Sequence, residues 1–247
     1  MELKNNIILI TGGSSGIGLE LARNFISRGN QVIICGRSLE KLSKAKADLP
    51  QVIIFQCDVS IAAERTRLFD WISQNHPSCN MLINNAAIVS KTNFRSDASM
   101  LEKTELEIQT NLIAPISLCK LFLPLLEKNE NSVIVNITTG LIYAPRAIYP
   151  IYNATKAGLH SFTQVFRHQL KGVPLKIVEV MMPAVDTPWH NGKPPKIAIP
   201  VEKAVAEMVI KMETGQQEIK VGGVKILYAL SRLAPSFAFK KINSVEG

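Results

Sequence analysis

The segment 139–158, TGLIYAPRAIYPIYNATKAG, sets a phenol beside an ammonium: Tyr152 and Lys156 are four residues apart. On a helix they share one face, a turn between them. A free tyrosine has a pKa of about 10 and is a poor acid–base group near neutrality. A nearby cation favours the phenolate and lowers that value. Spaced this way, the two residues read as an activated proton donor and acceptor, with an ordinary surface pair as the alternative. Tyr143 and Tyr149 have no lysine four residues on and read as pocket wall or loop packing.

A second group of residues points to an anion. TGGSSGIG at 11–18 spaces Gly12, Gly16 and Gly18 as G-x-x-x-G-x-G, with Ser14, Ser15 and Ile17 between them. One glycine permits a tight turn, one lets backbone approach a pyrophosphate, and one lets helix pack on strand. The N–H groups of the helix that follows are a phosphate site. The next apolar run ends VIICGRS, so Gly36 stands where NAD-binding chains carry a carboxylate, and Arg37 follows. A carboxylate there would repel a 2′-phosphate, whereas a guanidinium grips one, so NADP(H) is favoured over NAD(H). The turn holds no second basic residue.

These residues need a frame that brings them together. Short apolar runs at 7–11, 31–35, 52–57, 81–86, 132–138, 176–182 and 217–222 alternate with helical patterns at 18–29, 38–49, 62–75, 101–126, 152–170 and 201–212. Ser38 is an expected N-cap, and Pro115 is expected to kink or break the long fourth helical segment. Seven strands, apolar on both faces, with helical crossovers predict an α/β fold. It is a single-domain Rossmann fold, a doubly wound parallel sheet of about seven strands with helices on both faces. Ligands of such sheets bind beyond the carboxyl ends of the strands, where each of these motifs falls. The Rossmann domain is expected over residues 1–222, including a short lid at 188–200, followed by a basic amphipathic extension at 223–247.

Composition narrows the setting. The chain has 247 residues, 47% of them apolar, and no run of about 18 apolar residues that would span a bilayer. Its four cysteines are scattered without a C-x-x-C pair, which argues for free thiols in a reducing, cytoplasmic compartment and against a zinc site. A net charge of +8 favours anionic partners. Nucleic acid is not expected among them, since no basic strip is interleaved with aromatic residues. No metal site is expected, and His190 has no second ligand beside it.

The chain resembles the short-chain dehydrogenase/reductase family over about residues 5–222. TGGSSGIG looks like its cofactor turn, CDV at 57–59 like its adenine contact through Asp58 and Val59, and NNAA at 84–87 like its NNAG, with Asn85 and Ala86 lining the cofactor groove. Asn111 in QTNLIAP stands where the family keeps a structural and relay asparagine, and Tyr152 to Lys156 is its Y-x-x-x-K. The phrases HSFTQVFRHQL and SRLAPSFAFK are similar to a bacterial subgroup associated with teichoic-acid D-alanylation genes. The resemblance implies an oxidoreductase moving a hydride between NADP(H) and a small-molecule carbonyl or alcohol, and the short lid predicts an open site that admits a bulky or extended one. Tyr152 would be its general acid/base, and Lys156 would lower the phenol's pKa and hold the nicotinamide ribose. Asn111 would pass protons from Lys156 to solvent through a water on its backbone. A homodimer or homotetramer is implied as well. The alternative is a non-catalytic dinucleotide sensor or scaffold.

Two positions depart from the family pattern. Thr139 replaces the serine expected thirteen residues before the tyrosine. It keeps the hydroxyl and adds a methyl that stiffens the rotamer. Thr138 is aimed elsewhere by strand alternation. In MMPAVDT, Val185 and Thr187 align with the family's nicotinamide contacts, but Met182 and Pro183 replace its proline and glycine. Trp189 in the lid is expected either to stack on substrate or to pack on the lid's own base. After residue 219 the tail carries Lys220, Lys225, Arg232, Lys240 and Lys241. Its residues Ile226, Leu227, Leu230, Leu233 and Ala234 are placed on one helical face. That face suits a subunit partner or the chain's own core; an acidic membrane surface is the alternative.

Overall fold

A computed structural model describes residues 1–190 and 192–244. Seven strands form one wholly parallel sheet: β1 (Ile7–Thr11), β2 (Gln31–Gly36), β3 (Ile53–Gln56), β4 (Met81–Asn84), β5 (Ser132–Thr139), β6 (Leu175–Met182) and β9 (Glu218–Lys220). Their order across the sheet is β3-β2-β1-β4-β5-β6-β9, so the direction of winding reverses between β1 and β4. A short parallel pair, β7 (Val185–Asp186) with β8 (Ile199–Pro200), closes the base of the lid and was not expected from the sequence.

Alternation explains the apolar strands. Ile8 and Ile10 of β1 and Val32 and Ile34 of β2 enter one core layer, with α1 (Gly16–Ser27), α2 (Leu39–Asp48) and α7 (Val201–Glu213). Leu9, Ile33 and Cys35 enter the opposite layer, with α3 (Ala62–Asn75), α5 (Ala114–Leu126) and α6 (Pro150–Gln169). Strands buried on both faces cannot alternate with polar residues, hence their unbroken apolar runs. Ser38 caps α2 as expected, its hydroxyl accepting from the Lys41 N–H at 3.3 Å. Residues 100–126 are long and apolar enough to cross a membrane, but this helix lies on the sheet with Leu118, Phe122 and Leu126 buried.

The α-helical run is interrupted just before Pro115 and not at it. α4 (Met100–Ile108) runs into a wide turn at Gln109–Ile113, and Pro115 stands in the first turn of α5. The proline has no N–H to give the Asn111 carbonyl four residues earlier, and the wide turn absorbs that defect just there. The tail also differs from the single face read in the sequence. It forms α8 (Val224–Leu233) and α9 (Pro235–Asn243), with Ala234 in the break between them. Pro235 stops the first helix and starts the second.

Candidate active site

The carboxyl edge of the sheet gathers nearly every expected site residue. β1 ends in the glycine turn, where Gly12 and Gly16 have φ of +64° and +53°. A Cβ on Gly18 would lie 2.3 Å from the Gly12 carbonyl oxygen, so no larger residue fits. α1 then begins with its N-cap, Ser15, making no side-chain cap bond and with no acid in its first turn. Its end N–H groups and positive dipole are thus left to an anion.

β4 braces the turn. The Asn85 Nδ2 donates to the Thr11 and Gly12 carbonyls at 2.9 and 3.1 Å. The Thr11 Oγ1 accepts from the Asn85 and Ala86 N–H groups, both at 3.0 Å. Asn85 therefore holds the turn's shape instead of presenting its amide to the groove; Thr11 was not singled out in the sequence. At the end of β2, a Cβ on Gly36 would stand 3.4 Å from the Ser14 Oγ. Arg37 beside it is exposed, and its guanidinium makes no ion pair among the described residues. Asp58, past β3, accepts from the Ser60 N–H and hydroxyl at 2.9 and 2.7 Å, and Val59 next to it is buried.

The phenol and ammonium stand at the start of α6, across from the end of β5. The Thr139 hydroxyl stands close enough to the Tyr152 phenol to favour its ionised form. Thr138 faces away, its hydroxyl donating to the Glu179 Oε1 at 2.6 Å, as alternation requires. Lys156 is buried and donates from Nζ to the Ile137 carbonyl at 2.8 Å. Burial lowers its pKa from 10.5 to about 8, against an opposing pull from Glu179. The expected lowering of the Tyr152 pKa is not found. Burial pushes the phenol up to about 12, outweighing the Thr139 hydroxyl that lowers it, because the lysine is turned to the strand carbonyl. In this state Tyr152 is firmly protonated, a donor and not a base.

Asn111 is fully buried in the wide helical turn, its side chain bonded to Ile88 and, at 3.3 Å, to the Thr155 hydroxyl. The Oδ1 accepts from the Ile88 N–H and the Nδ2 donates to the Ile88 carbonyl, both at 2.8 Å. It fixes the loop after β4, leaving its main-chain carbonyl as the group that Pro115 cannot satisfy.

Trp189, in the short 3-10 turn Pro188–His190, answers the question left open by the lid. Its ring centroid lies 4.7 Å from His190 of the lid, 6.1 Å from Tyr149 and 6.5 Å from Tyr152, so it packs within the lid and also borders the site. Thr187 lies 3.3 Å from where a Gly16 Cβ would be, and Val185 is buried below. The His190 Nε2 is buried without a partner, and burial lowers that ring's pKa. Pro183 packs on the tail, 3.7 Å from a would-be Cβ of Gly222. No three metal-ligating side chains gather among the described residues. Shallow grooves on α9 and at Arg167–Lys176 do not include Tyr152, so chemistry and not cavity size locates the site.

Two acids near this centre escaped the sequence reading. Glu179 is fully buried on β6 and faces the His160 Nδ1 at 2.8 and 2.9 Å as well as Thr138. His160 follows Tyr152 and Lys156 on the same face of α6, eight residues from the tyrosine. The signal was one glutamate inside the apolar run KIVEVMM. Glu107 on α4 is also buried and accepts from the Ser90 N–H at 2.6 Å, while its Oε2 has no partner; burial raises its pKa.

Comparison with known proteins agrees with this geometry. The family model described as short chain dehydrogenase matches residues 6–197. An uncharacterized oxidoreductase, DltE, of Bacillus subtilis (strain 168) is 38% identical over the full length of both chains. A short chain dehydrogenase of Burkholderia cenocepacia J2315, solved in complex with NADP, superposes with a TM-score of 0.86 at 21% identity, over 98% of this chain and 99% of that one. A second, from Burkholderia phymatum in complex with NAD, gives 0.83 at 18% identity, over 100% and 99%.

Proposed function

Since the chain belongs to the short-chain dehydrogenase family of oxidoreductases, we propose that it interconverts a carbonyl and an alcohol with NADP(H) as partner, using Tyr152 as the general acid/base. The observation that carries this reading is the Tyr152 phenol beside the Thr139 hydroxyl, one helical turn before a buried lysine. The glycine turn supports a dinucleotide: Gly18 lets α1 pack directly on the turn at Gly12 and Gly13, and the α1 end has no side-chain cap. Gly12, Ser14, Ser15, Gly16, Ile17 and Gly18 would hold that pyrophosphate, and Asp58, Val59 and Ala86 the adenine side. Asn85 would keep the turn in shape, and Val185 and Thr187 would form the nicotinamide wall. Arg37 beside Gly36 supports a 2′-phosphate, hence NADP(H) over NAD(H). When bound, the nicotinamide supplies or accepts the hydride.

The protein's own residues handle the proton. Thr139 holds the substrate oxygen, and Tyr152 gives it a proton, or takes one from the alcohol in reverse. Lys156 is poised near neutrality; an anionic ligand beside it raises its pKa, keeps it charged and so helps the phenolate to form. The Asn111 carbonyl, left open by Pro115, supports a water there as the outlet for protons. Trp189 and Tyr149 form an aromatic wall for the substrate. Four unpaired, buried cysteines support a reducing, cytoplasmic setting. Exposed Leu101 and Leu106 on α4 support assembly into a homodimer or homotetramer.

Calorimetric titration with NADPH and NADH, followed by a screen of carbonyl compounds with and without Tyr152→Phe, tests this. We expect NADPH to bind at least about tenfold more tightly. We also expect Tyr152→Phe to lose roughly 10²–10⁴ in rate with cofactor affinity kept. Equal NADH affinity overturns the role of Arg37, and undiminished turnover in Tyr152→Phe overturns the proton donor.

A further inference from the structure

Four segments leave the carboxyl edge on the substrate side of the sheet: 88–96 after β4, 140–151 after β5, 187–200 after β6 and 221–244 after β9. They form one surface. The Thr92 N–H donates to the Ile148 carbonyl at 3.2 Å, and Trp189 packs on Tyr149. The Asn243 side chain accepts from the Ala147 N–H at 2.6 Å and donates to the Pro145 carbonyl at 3.1 Å. The start of α8 sits directly on Gly140, with Val224 Cγ2 2.9 Å from where a Cβ would be.

Charge is segregated onto these segments. They carry nine of the chain's twenty-eight basic residues and none of its twenty acids, which leaves the rest with nineteen against twenty. Essentially all of the +8 net charge therefore belongs to this one rim. Asp186 at the base of the lid, Asp97, ion-paired to Lys103 at 2.7 Å, and Glu107 and Glu207, which accept from the Ser90 and Gly222 N–H groups, are acids at its borders.

Apolar surface collects in the same place. Fifteen large apolar side chains are exposed among the described residues, and eight of them stand on these segments, about a quarter of the chain. Phe94 is 82% and Leu233 86% exposed, with Trp189, Ile197, Phe237 and Phe239 around half. These tips are exposed, and Phe239 also lines the shallow groove on α9. Apolar tips among cations, without acids, match a bilayer with anionic headgroups: the tips enter the acyl boundary and the lysines meet phosphate.

We infer that this rim docks on an anionic lipid bilayer, with the mouth of the Tyr152 site facing the membrane. The substrate it receives there is an amphiphilic carbonyl compound; this last step alone rests on the reductase reading.

Sedimentation of the full chain with phosphatidylglycerol–phosphatidylcholine vesicles, and with phosphatidylcholine alone, tests the docking without turnover. Binding is expected to the anionic vesicles at low salt, reduced at high salt. Replacing Lys240 and Lys241 by Glu should weaken it at least about tenfold, since each basic residue near such a surface contributes roughly 1 kcal/mol. In a Trp71→Phe background, bromine-labelled lipid should quench Trp189. Absence of binding at low salt overturns the inference, whether the rim proves to cover a second copy or an acidic protein. Binding with Trp189 unquenched overturns the orientation. With NADPH, a long-chain aldehyde should turn over faster in anionic than in neutral vesicles. Equal rates overturn the substrate class and leave the docking in place.

Discussion

Lys156→Met should stabilise the cofactor-free protein while abolishing its activity. The ammonium is buried, and its pKa falls from 10.5 to about 8. That fall corresponds to about 3 kcal/mol of destabilisation when the lysine is charged in both folded and unfolded chains. The sign follows from proton counting. Between pH 8 and 10.5 the unfolded chain binds more protons, so stability rises with pH and the penalty disappears. At pH 7 nearly all of it is present; at pH 10 about 1 kcal/mol is left. Methionine is similar in length and uncharged, but gives up the bond to the Ile137 carbonyl, worth about 1 kcal/mol. The net gain is then about 2 kcal/mol at pH 7 and roughly nothing at pH 10. For a chain of this size that is a rise in Tm of about 4–8 °C at pH 7 only. Paired thermal melts of both proteins at the two pH values measure it. Equal destabilisation at both would show the lysine to be a structural pin to β5. A gain independent of pH would show that packing, not charge, was relieved. Either result refutes the claim that stability is given up here to keep a cation ready.

Gly18→Ala would press a methyl to 2.3 Å from the Gly12 carbonyl oxygen. It should cost about 1–3 kcal/mol by urea melts and weaken dinucleotide binding at least about tenfold by calorimetry. Glu107→Gln should stabilise the protein at pH 8 and not at pH 4, because a raised carboxyl pKa penalises folding only once the unfolded carboxyl has ionised; melts at the two pH values check the sign. Glu179→Ala leaves Thr138 and His160 without their acceptor and should cost about 1–3 kcal/mol, with Glu179→Gln partly restoring it in the same urea melts. Asn243→Ala removes two bonds from the loop that leads into α6, and hydrogen exchange at 145–149 should speed up with the core unaffected.

What was legible in the sequence is what local rules control. A strand buried on both faces must be apolar throughout, so IILIT, QVIIC and SVIVNIT announced themselves, and Ser38 fell at its cap. Strand alternation also assigned Thr139 to the site and Thr138 away from it. Long-range arrangement was not legible. Glu179 is a single acid inside an apolar run, and only the folding of β5 and α6 beside it brings Thr138 and His160 to it. Pro115 signalled a fault in the helix, but only the three-dimensional chain shows the fault spread as a wide turn around Asn111. The Tyr152–Lys156 spacing predicted a shared face correctly and the electrostatics incorrectly. A lysine reaches far enough to choose between a phenol and a strand carbonyl, and burial outweighs proximity.

That error bears on how the site must work. With the phenol near 12 and the lysine near 8, neither group is tuned for proton exchange at neutral pH in the empty protein. Both shifts come chiefly from burial, which disfavours the charged form of each. An anionic ligand seated at the α1 end supplies what burial removed. It keeps the lysine charged to higher pH, and the charged lysine then favours the phenolate that Thr139 already supports. Reactivity on this reading is conditional on the cofactor site being filled, with Lys156 as the group that senses it. Proton uptake on NADPH binding follows directly. Between pH 7.5 and 9 titrations in buffers of different ionisation enthalpy should show up to about one proton taken up, and Lys156→Met should abolish it. Uptake that persists in Lys156→Met would place the sensing group elsewhere, with His190, whose buried ring also has a lowered pKa, as the next residue to replace.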